Sequence, residues 1–348
     1  MRKTLRLFTL LFTFLMVFNL ASCSKYPLAA SSKKEREILF TVDGKYEASY
    51  ELYRFAFLNT VAAYGKPEEW SAEKRAEVFF LADTAARREI SRVYAIFSMA
   101  EKHGIDTDSK EISKAVKAEV VDAIENENYG YGSQEKYLEA LKASYMTDSV
   151  FRFYLRLSIV EEKLAKAMHA EKFVEEDDET VRAYFTGEST VCATWIYIPY
   201  ASAAYKNFTD AMLEEMVARA HSASDEDFVK EAQQYLQTLY MPDELARGFY
   251  FGRYQMDAYY EKLTETAFSL EVGETSELIH SGDGVYIVRR LEKDADYIAD
   301  EENIEELREC YLLDCFYRAL SEETSRILDT LREEGAYADI TLDGVVME

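Results

Sequence analysis

The sequence is poor in the residues that interrupt regular structure. Its 348 residues include only 4 prolines and 13 glycines. Because these two residues mark turns, their scarcity argues against a many-stranded sandwich and against a glycine-rich phosphate loop, and it favours long helices. Basic residues are also few, 40 against 65 acidic ones, which gives a net charge of −25. Such a surface repels phosphate backbones and argues against nucleic-acid binding.

Histidine and cysteine are scarce as well. The four histidines are His103, His169, His221 and His280. They lack metal-ligand spacing, so we predict neither a metal site nor a cofactor. No Ser-His-Asp or Cys-His grouping can be argued from the order of the residues. Apart from Cys23, an odd number of cysteines remains, Cys192, Cys310 and Cys315, which argues against a disulfide framework.

The N-terminus has the pattern of an export signal, which we place at residues 1–22. Met1–Arg6 is basic, and the apolar run Leu7–Leu20 is shorter than the roughly 20 residues of a spanning helix. The next residues, Leu20-Ala21-Ser22-Cys23, resemble the bacterial lipobox, in which cleavage leaves an acylated cysteine. The resemblance implies that Cys23 carries a lipid anchor. The alternative is an ordinary signal peptide followed by an incidental cysteine.

Residues 23–37 are predicted to be the lipidated N-terminus and a tether. The segment contains proline, serine and alanine without an apolar period. Its basic residues are Lys25, Lys33, Lys34 and Arg36. They either attract anionic lipid headgroups or belong to a solvated linker.

Residues 38–187 are predicted to form a helical domain. An extended run at Ile38–Gly44 precedes helices with apolar residues at helical spacing. We expect helix starts at Tyr50, Ser71, Asp108, Ser133, Thr147 and Glu175. The period changes to two after Ser189, and residues 188–293 are predicted to form a small α+β domain. Its strand candidates are residues 191–198, 249–253, 278–280 and 285–291, and its helices are 202–221 and 226–235. Asp300 is expected to open a closing helix within residues 294–348.

Two segments of the second domain resemble signatures of parvulin-type peptidyl-prolyl isomerases. FGRYQM at Phe251–Met256 resembles "WFGRGQM", and AFSLEVGETSE at Ala267–Glu277 matches "AFxLxxGExSE". Two strand candidates stand where the family carries "ASHIL" and "GYHII", namely Ala193–Ile196 and Gly284–Val288.

With its lipobox and helical half, the layout resembles the PrsA and SurA group of exported foldases over nearly the whole mature chain. In the helical half, HGIDTD at His103–Asp108 and GSQEKYL at Gly132–Leu138 resemble that group's helix starts. The resemblance implies an α+β protein with a SurA/PrsA-like helical N-terminal module and a parvulin-like domain. It also implies a C-terminal helix packed back on the helical module.

The resemblance fails at the polar active-site residues. Trp195 and Tyr286 occupy the positions of the family's two histidines, and Thr238 or Leu239 the acidic or cysteine position. Ser281 matches a family hydroxyl position. The catalytic residues therefore stay unassigned. The resemblance assigns a peptide- and proline-binding wall to Phe251, Met256, Tyr260 and Phe268.

These features predict a lipoprotein on the extracytoplasmic face of the cell membrane, either a Gram-positive surface or a periplasm. It would act as a chaperone or foldase on unfolded or nascent secreted polypeptides, with weak or no isomerase activity. Whether it is an enzyme stays open, because an apolar slot that favours a twisted amide lowers the rotation barrier without a nucleophile. The alternatives are an active prolyl isomerase and a non-catalytic structural or ligand-presenting lipoprotein.

Overall fold

The computed structural model describes residues 26, 28–29, 31–64, 67–126, 130–200, 202, 205–236, 242–254, 261–280 and 284–346. The chain divides into two compact units. The first joins Met1–Glu171 to Leu320–Glu348, and the second is Lys172–Ala319. The five-part domain division predicted from the sequence stays a prediction. No helix in the described part of the chain is long and apolar enough to cross a bilayer.

The first unit is mainly helical. Its helices are α1 (Tyr50–Val61), α2 (Ala72–Lys102), α3 (Lys110–Glu125), α4 (Gln134–Ala143) and α5 (Asp148–Ala170), and α13 (Leu342–Val346) lies near the C-terminus. Its strands are β1 (Ile38–Val42), β2 (Tyr46–Ser49) and β7 (Arg332–Glu333), which form an antiparallel sheet in the order β2-β1-β7. The helical module predicted for the N-terminal half is confirmed.

Helix starts in this unit follow side-chain caps. The hydroxyls of Ser71, Ser133 and Thr147 each accept a hydrogen bond from the backbone N–H three residues further on. Each satisfies a donor that the first helical turn leaves unpaired, as the sequence predicts. The expected start at Asp108 was off by one residue, because Ser109 accepts from the N–H of Ile112 and caps α3.

The extended run at Ile38 continues into a hairpin that the sequence analysis missed. Asp43 and Gly44 both have positive φ, 55° and 64°, and turn β1 back into β2. The second edge of β1 pairs with β7, where Phe40 lies opposite Glu333. The small sheet therefore joins residues 38–49 to residues 332–333 within the first unit.

A long helix, α12 (Ile304–Thr330), closes the chain, and its last part belongs to the first unit. There the Glu323 carboxylate accepts hydrogen bonds from Ser98 Oγ at 2.7 Å and from Lys102 Nζ at 2.8 Å, both on α2. Arg326 bridges Glu323 and Asp43 at 2.8 and 3.0 Å. The prediction that the closing helix packs back on the helical module is confirmed.

The second unit contains a four-stranded antiparallel sheet in the order β4-β3-β6-β5. Its strands are β3 (Thr190–Pro199), β4 (Phe249–Gly252), β5 (Ile279–His280) and β6 (Gly284–Leu291). Its helices are α6 (Asp178–Thr186), α7 (Asp210–Ser222), α8 (Asp225–Leu236), α9 (Pro242–Arg247), α10 (Glu261–Ser269) and α11 (Ala295–Ala299), and α12 begins here. The α+β fold class is confirmed.

The helices of this unit differ from expectation in several places. The helix expected over 202–221 begins only at Asp210, because the Thr209 hydroxyl accepts from the N–H of Met212 and caps it there. Asp294 caps the short helix α11, so α12 starts at Ile304 rather than at Asp300. The short helix α9 was not predicted.

A buried arginine ties the sheet to its covering helices. The guanidinium of Arg289 on β6 donates to Thr275 Oγ1, Asp225 Oδ1 and the carbonyls of Ala220 and Ala223, at 2.8 to 3.0 Å. It also lies 4.6 Å from the ring centroid of Phe228. The side chain is almost fully buried, so these bonds replace the water that the guanidinium loses on folding.

Candidate functional site

The register of the central strands gathers the predicted site positions on one face of the sheet. Tyr197 on β3 lies opposite Tyr286 on β6, and Trp195 lies opposite Val288. On the other edge of β3, the strand β4 places Phe251 opposite Val191. Directly paired residues share a face and alternate residues along a strand return to it. Trp195, Tyr286 and Phe251 therefore lie on the same face.

Ring pairs form at Trp195 and Tyr286, the two positions that the resemblance predicts to replace histidines. Trp195 packs on Phe249 with ring centroids 4.8 Å apart and planes tilted by 31°. Tyr286 stacks on Tyr197 with centroids 4.5 Å apart and planes at 17°. Trp195 is only 7% exposed and Tyr286 only 4%. Both belong to the hydrophobic core of the second unit, so these positions form a packed aromatic floor.

Two of the predicted wall residues meet beside this floor. Phe251 is buried, and its ring forms an edge contact with Phe268 on α10, at 6.4 Å between centroids and 75° between planes. The guanidinium of Arg253 lies 4.3 Å from the centroid of the Phe268 ring. Phe268 is partly buried and Arg253 is exposed. The arrangement is an apolar wall with a cation at its solvent edge.

The chain leaving β4 is fixed by an acid on α12. The buried Asp314 carboxylate accepts a hydrogen bond from the backbone N–H of Tyr254 at 2.6 Å and another from the Tyr184 hydroxyl. Burial raises the pKa of the Tyr184 phenol, and its bond to Asp314 raises it further, so the hydroxyl remains a donor.

Gly252 makes this close approach possible. A Cβ on Gly252 would lie 2.2 Å from Tyr184 Oη and 2.3 Å from Asp314 Cγ. A side chain there would therefore push both partners away. The exposed Tyr254 ring, 37% accessible, follows at once and stands next in sequence to Arg253. Gly252 and Asp314 thus set the direction of the chain on which Arg253 and Tyr254 sit.

The other predicted site residues fall outside the described part of the chain. These are Met256, Tyr260 and Ser281 of the candidate slot and Cys23, the predicted lipidation site. Thr238 and Leu239 also lie outside it. The structure thus brings together Trp195, Tyr286, Phe251 and Phe268. It adds Arg253, Tyr254 and Asp314, which the sequence analysis did not single out as site residues.

No alternative chemistry stands out among the described residues. His280 Nδ1 is paired with the Tyr200 hydroxyl at 3.1 Å, and His103 with Glu171 at 2.8 Å. Burial raises the pKa of the Cys192 thiol to about 12, which keeps it protonated and unreactive. Within the described ranges, no group of three or more His, Cys, Asp or Glu side chains is arranged to hold a metal ion.

Comparison with family models gives no match, and neither does comparison with curated proteins. Among solved structures, the chain is similar to the foldase protein PrsA of Streptococcus pneumoniae, with 17% identity, 72% of this chain and 88% of that chain covered, and a TM-score of 0.32. PrsA of Bacillus subtilis shares 19% identity over 73% of this chain and 87% of its own, with a TM-score of 0.26.

A third similar structure comes from a study of two Campylobacter jejuni proteins, PEB4 and the periplasmic protein Cj1289, which are described as structurally related SurA-like chaperones. It shares 12% identity over 85% of this chain and 98% of its own, with a TM-score of 0.28. These structures come from the PrsA and SurA group, the same group that the sequence motifs resemble.

Proposed function

We propose that the protein is a membrane-anchored extracytoplasmic chaperone or foldase with weak or no prolyl isomerase activity. Its clients would be unfolded or nascent secreted polypeptides. The observation that supports the proposal is the aromatic floor, in which Trp195 lies tilted against Phe249 and Tyr286 stacks on Tyr197. Both residues are buried, and the family resemblance assigns them to the positions of a parvulin's two histidines. A scaffold of this kind would keep apolar surface for a peptide without the two histidines of an isomerase slot.

Weak isomerase activity follows from what catalysis of this reaction needs. Rotation about a peptide bond has a barrier of roughly 18–20 kcal/mol, and a catalyst must favour the twisted amide over the planar one. Polar groups positioned around the amide supply such a preference. Trp195 and Tyr286 are instead packed in the core of the second unit, so neither side chain is positioned to favour the twisted amide.

The solvent-exposed side of the apolar wall, at Arg253 and Tyr254, supports a role in binding peptides. Arg253 contacts the ring of the partly buried Phe268, and the exposed Tyr254 is the next residue along the chain. Aromatic side chains offer large contact area at a low cost in conformational entropy. Arg253 adds a donor for the backbone carbonyls of an extended client. Contacts of these kinds tolerate many client sequences.

Anchoring is supported by the export-signal pattern of residues 1–22 and by the lipobox-like residues that end at Cys23. Each methylene group of an acyl chain that enters the bilayer contributes about 0.8 kcal/mol, so several chains on one cysteine would give stable attachment. The protein would then work on the outer side of the cell membrane, where secreted chains emerge.

Two assays on the purified mature chain test the proposal. The first measures light scattering of a chemically unfolded client diluted with and without the protein. The second follows cis–trans exchange in a proline-containing tetrapeptide coupled to a protease. We expect strong suppression of client aggregation and an exchange rate close to the uncatalysed one.

Matched variants locate the holding surface. Phe268→Ala and Tyr254→Ala are expected to weaken aggregation suppression, whereas Met212→Ala on α7, an exposed apolar residue of the same unit, should leave it unchanged. Fast catalysed exchange would instead establish an active isomerase. No effect in either assay would favour a structural or ligand-presenting lipoprotein.

A further inference from the structure

The segment that follows the predicted lipidation site is bound to the first unit. The guanidinium of Arg152 donates a hydrogen bond to the carbonyl of Tyr26 at 3.1 Å. The N–H of Ala29 donates to Asp148 Oδ2 at 2.8 Å, and Ser31 Oγ donates to Glu51 Oε2 at 3.0 Å. Composition predicted a tether here, but its described residues make contacts spread over α1 and α5.

The two carboxylates that receive this segment are buried in a hydrogen-bond network. Asp148, only 5% exposed, also accepts from the Tyr137 hydroxyl at 2.6 Å and from Arg152 Nε at 3.0 Å. Glu51, 7% exposed, also accepts from Thr147 Oγ1 at 2.8 Å and from Ser149 Oγ. Buried charges are costly unless they are paired in this way. The two acids therefore form a prebuilt cradle for the incoming segment.

The chain enters this cradle beside α4. The Tyr26 side chain packs against the small core formed by Val120, Ile124, Tyr137 and Leu141. Only three residue steps separate Cys23 from Tyr26, and an extended chain covers at most about 11 Å in three steps. A lipid on Cys23 would therefore hold Tyr26 within about 11 Å of the lipidated residue.

Exposed aromatic and apolar residues flank α4, the helix that carries Tyr137 and Leu141, and follow Tyr26 in the sequence. Tyr131 and Tyr145, which flank α4, are 39% and 43% exposed, and Leu28 is 59% exposed. Tyrosine is enriched at the level of lipid headgroups. The charged residues of α4 are two lysines and two glutamates, so the helix is neutral in a chain whose net charge is −25. An anionic bilayer repels this surface less than the rest of the protein.

We infer that Leu28, Tyr131 and Tyr145 form a membrane-contact face, and that the cradle locks the first unit onto the bilayer through this face. The inference rests on the proposed lipid anchor and adds an orientation to it. The lipid supplies attachment. The hydrogen bonds of Asp148, Arg152 and Glu51 turn that attachment into a fixed pose.

The test uses the lipidated protein in vesicles of phosphatidylglycerol and phosphatidylethanolamine. A nitroxide is placed at Tyr145→Cys, with Cys310→Ser so that the remaining described cysteines, Cys192 and Cys315, are buried. The control label is Lys166→Cys, on an exposed residue 18 positions, or about 27 Å, along α5 from Asp148. Collisions with oxygen report lipid depth, and collisions with a water-soluble nickel complex report exposure to water.

We expect the label at 145 to lose nickel collisions and gain oxygen collisions relative to the label at 166. Inserting about ten Gly and Ser residues between Ser24 and Lys25 keeps the cradle but frees the unit, so the two labels should become alike. Arg152→Met should have the same effect by releasing Tyr26. If Arg152→Met does not fold, the Gly/Ser insertion still tests the inference, because it leaves the first unit unchanged.

The outcomes separate this inference from the anchor itself. If the protein floats with the vesicles but both labels collide equally with the nickel complex, the membrane-contact face is wrong. The proposed lipid anchor is then still supported. If the protein does not float with the vesicles, the proposed lipid anchor is wrong, and so is the fixed orientation that depends on it.

Discussion

The carboxylate of Asp314 on α12 accepts a hydrogen bond from the backbone N–H of Tyr254, 60 residues earlier in the chain, at 2.6 Å. The same carboxylate accepts from the Tyr184 hydroxyl on α6. One buried acid therefore fixes the exit of β4 at the point where the candidate peptide-holding residues begin. Glycine at position 252 leaves the space for it.

Asp314→Ala is expected to lower the free energy of unfolding by about 2–4 kcal/mol, because it leaves two donors without their acceptor. Urea denaturation measures this. Asp314→Asn, which keeps one acceptor oxygen, should cost less, and Tyr184→Phe should cost about 1 kcal/mol, since it removes one donor together with its need for a partner. Equal stabilities of Asp314→Ala and the parent chain would show that the contact contributes nothing.

The double variant Trp195→His and Tyr286→His is expected to lose about 3–5 kcal/mol of stability without gaining isomerase activity. The two rings are part of the packed core, and smaller, more polar side chains leave space and unpaired groups there. Thermal unfolding and the protease-coupled assay measure the two effects. A stable double variant that isomerises a prolyl bond quickly would mean that only the imidazoles were missing.

Arg289→Met should destabilise the second unit by about 3–5 kcal/mol, because Asp225, Thr275 and two carbonyls lose their donors together. The matched control is Arg219→Met on α7. Arg219 pairs with Glu215 and Glu231, but its side chain is half exposed. Exposed pairs of that kind contribute roughly 0–1 kcal/mol. Similar losses in the two variants would contradict the role assigned to burial.

Glu323 is expected to make the first unit sensitive to acid. Burial raises its pKa, but hydrogen bonds from Arg326, Lys102 and Ser98 outweigh this and lower the pKa from 4.5 to about 2. Because the folded pKa lies below the unfolded one, the stabilisation is present above pH 4.5 and is lost as the pH falls towards 2.

Glu323→Gln should therefore lower stability at neutral pH by about 1–3 kcal/mol and flatten its dependence between about pH 5 and pH 2. Denaturant midpoints across this range measure the slope. The exposed neighbour Glu322→Gln serves as the control and should keep the parent profile. An unchanged slope in Glu323→Gln would place the acid sensitivity elsewhere.

Local patterns predicted much of the fold. The two-residue period after Ser189 predicted β3, and the cap positions Ser71, Ser133 and Thr147 predicted three helix starts. These signals are local, because a strand's alternation and a cap's hydroxyl act within a few residues. The assignment of Trp195 and Tyr286 to the two histidine positions also came from local strand patterns, and it stays a prediction.

The positioning groups could not be predicted in the same way. Asp314 and Asp148 are two acids among 65 in the chain, and no local pattern distinguishes a buried one from a solvated one. Their partners lie far away in sequence, 60 residues for Tyr254 and 119 for Ala29. Only the tertiary fold decides which carboxylates lose water and must find donors.

The pairing of β1 with β7 has a consequence for folding during synthesis. Phe40 lies opposite Glu333, so one edge of β1 stays open until residue 333 has been synthesised. Lys172–Ala319 is contiguous and can complete its own core earlier. During synthesis from the N-terminus the second unit would therefore fold before the sheet of the first unit is complete, and truncation near residue 330 would leave β1 with an unpaired edge prone to aggregation.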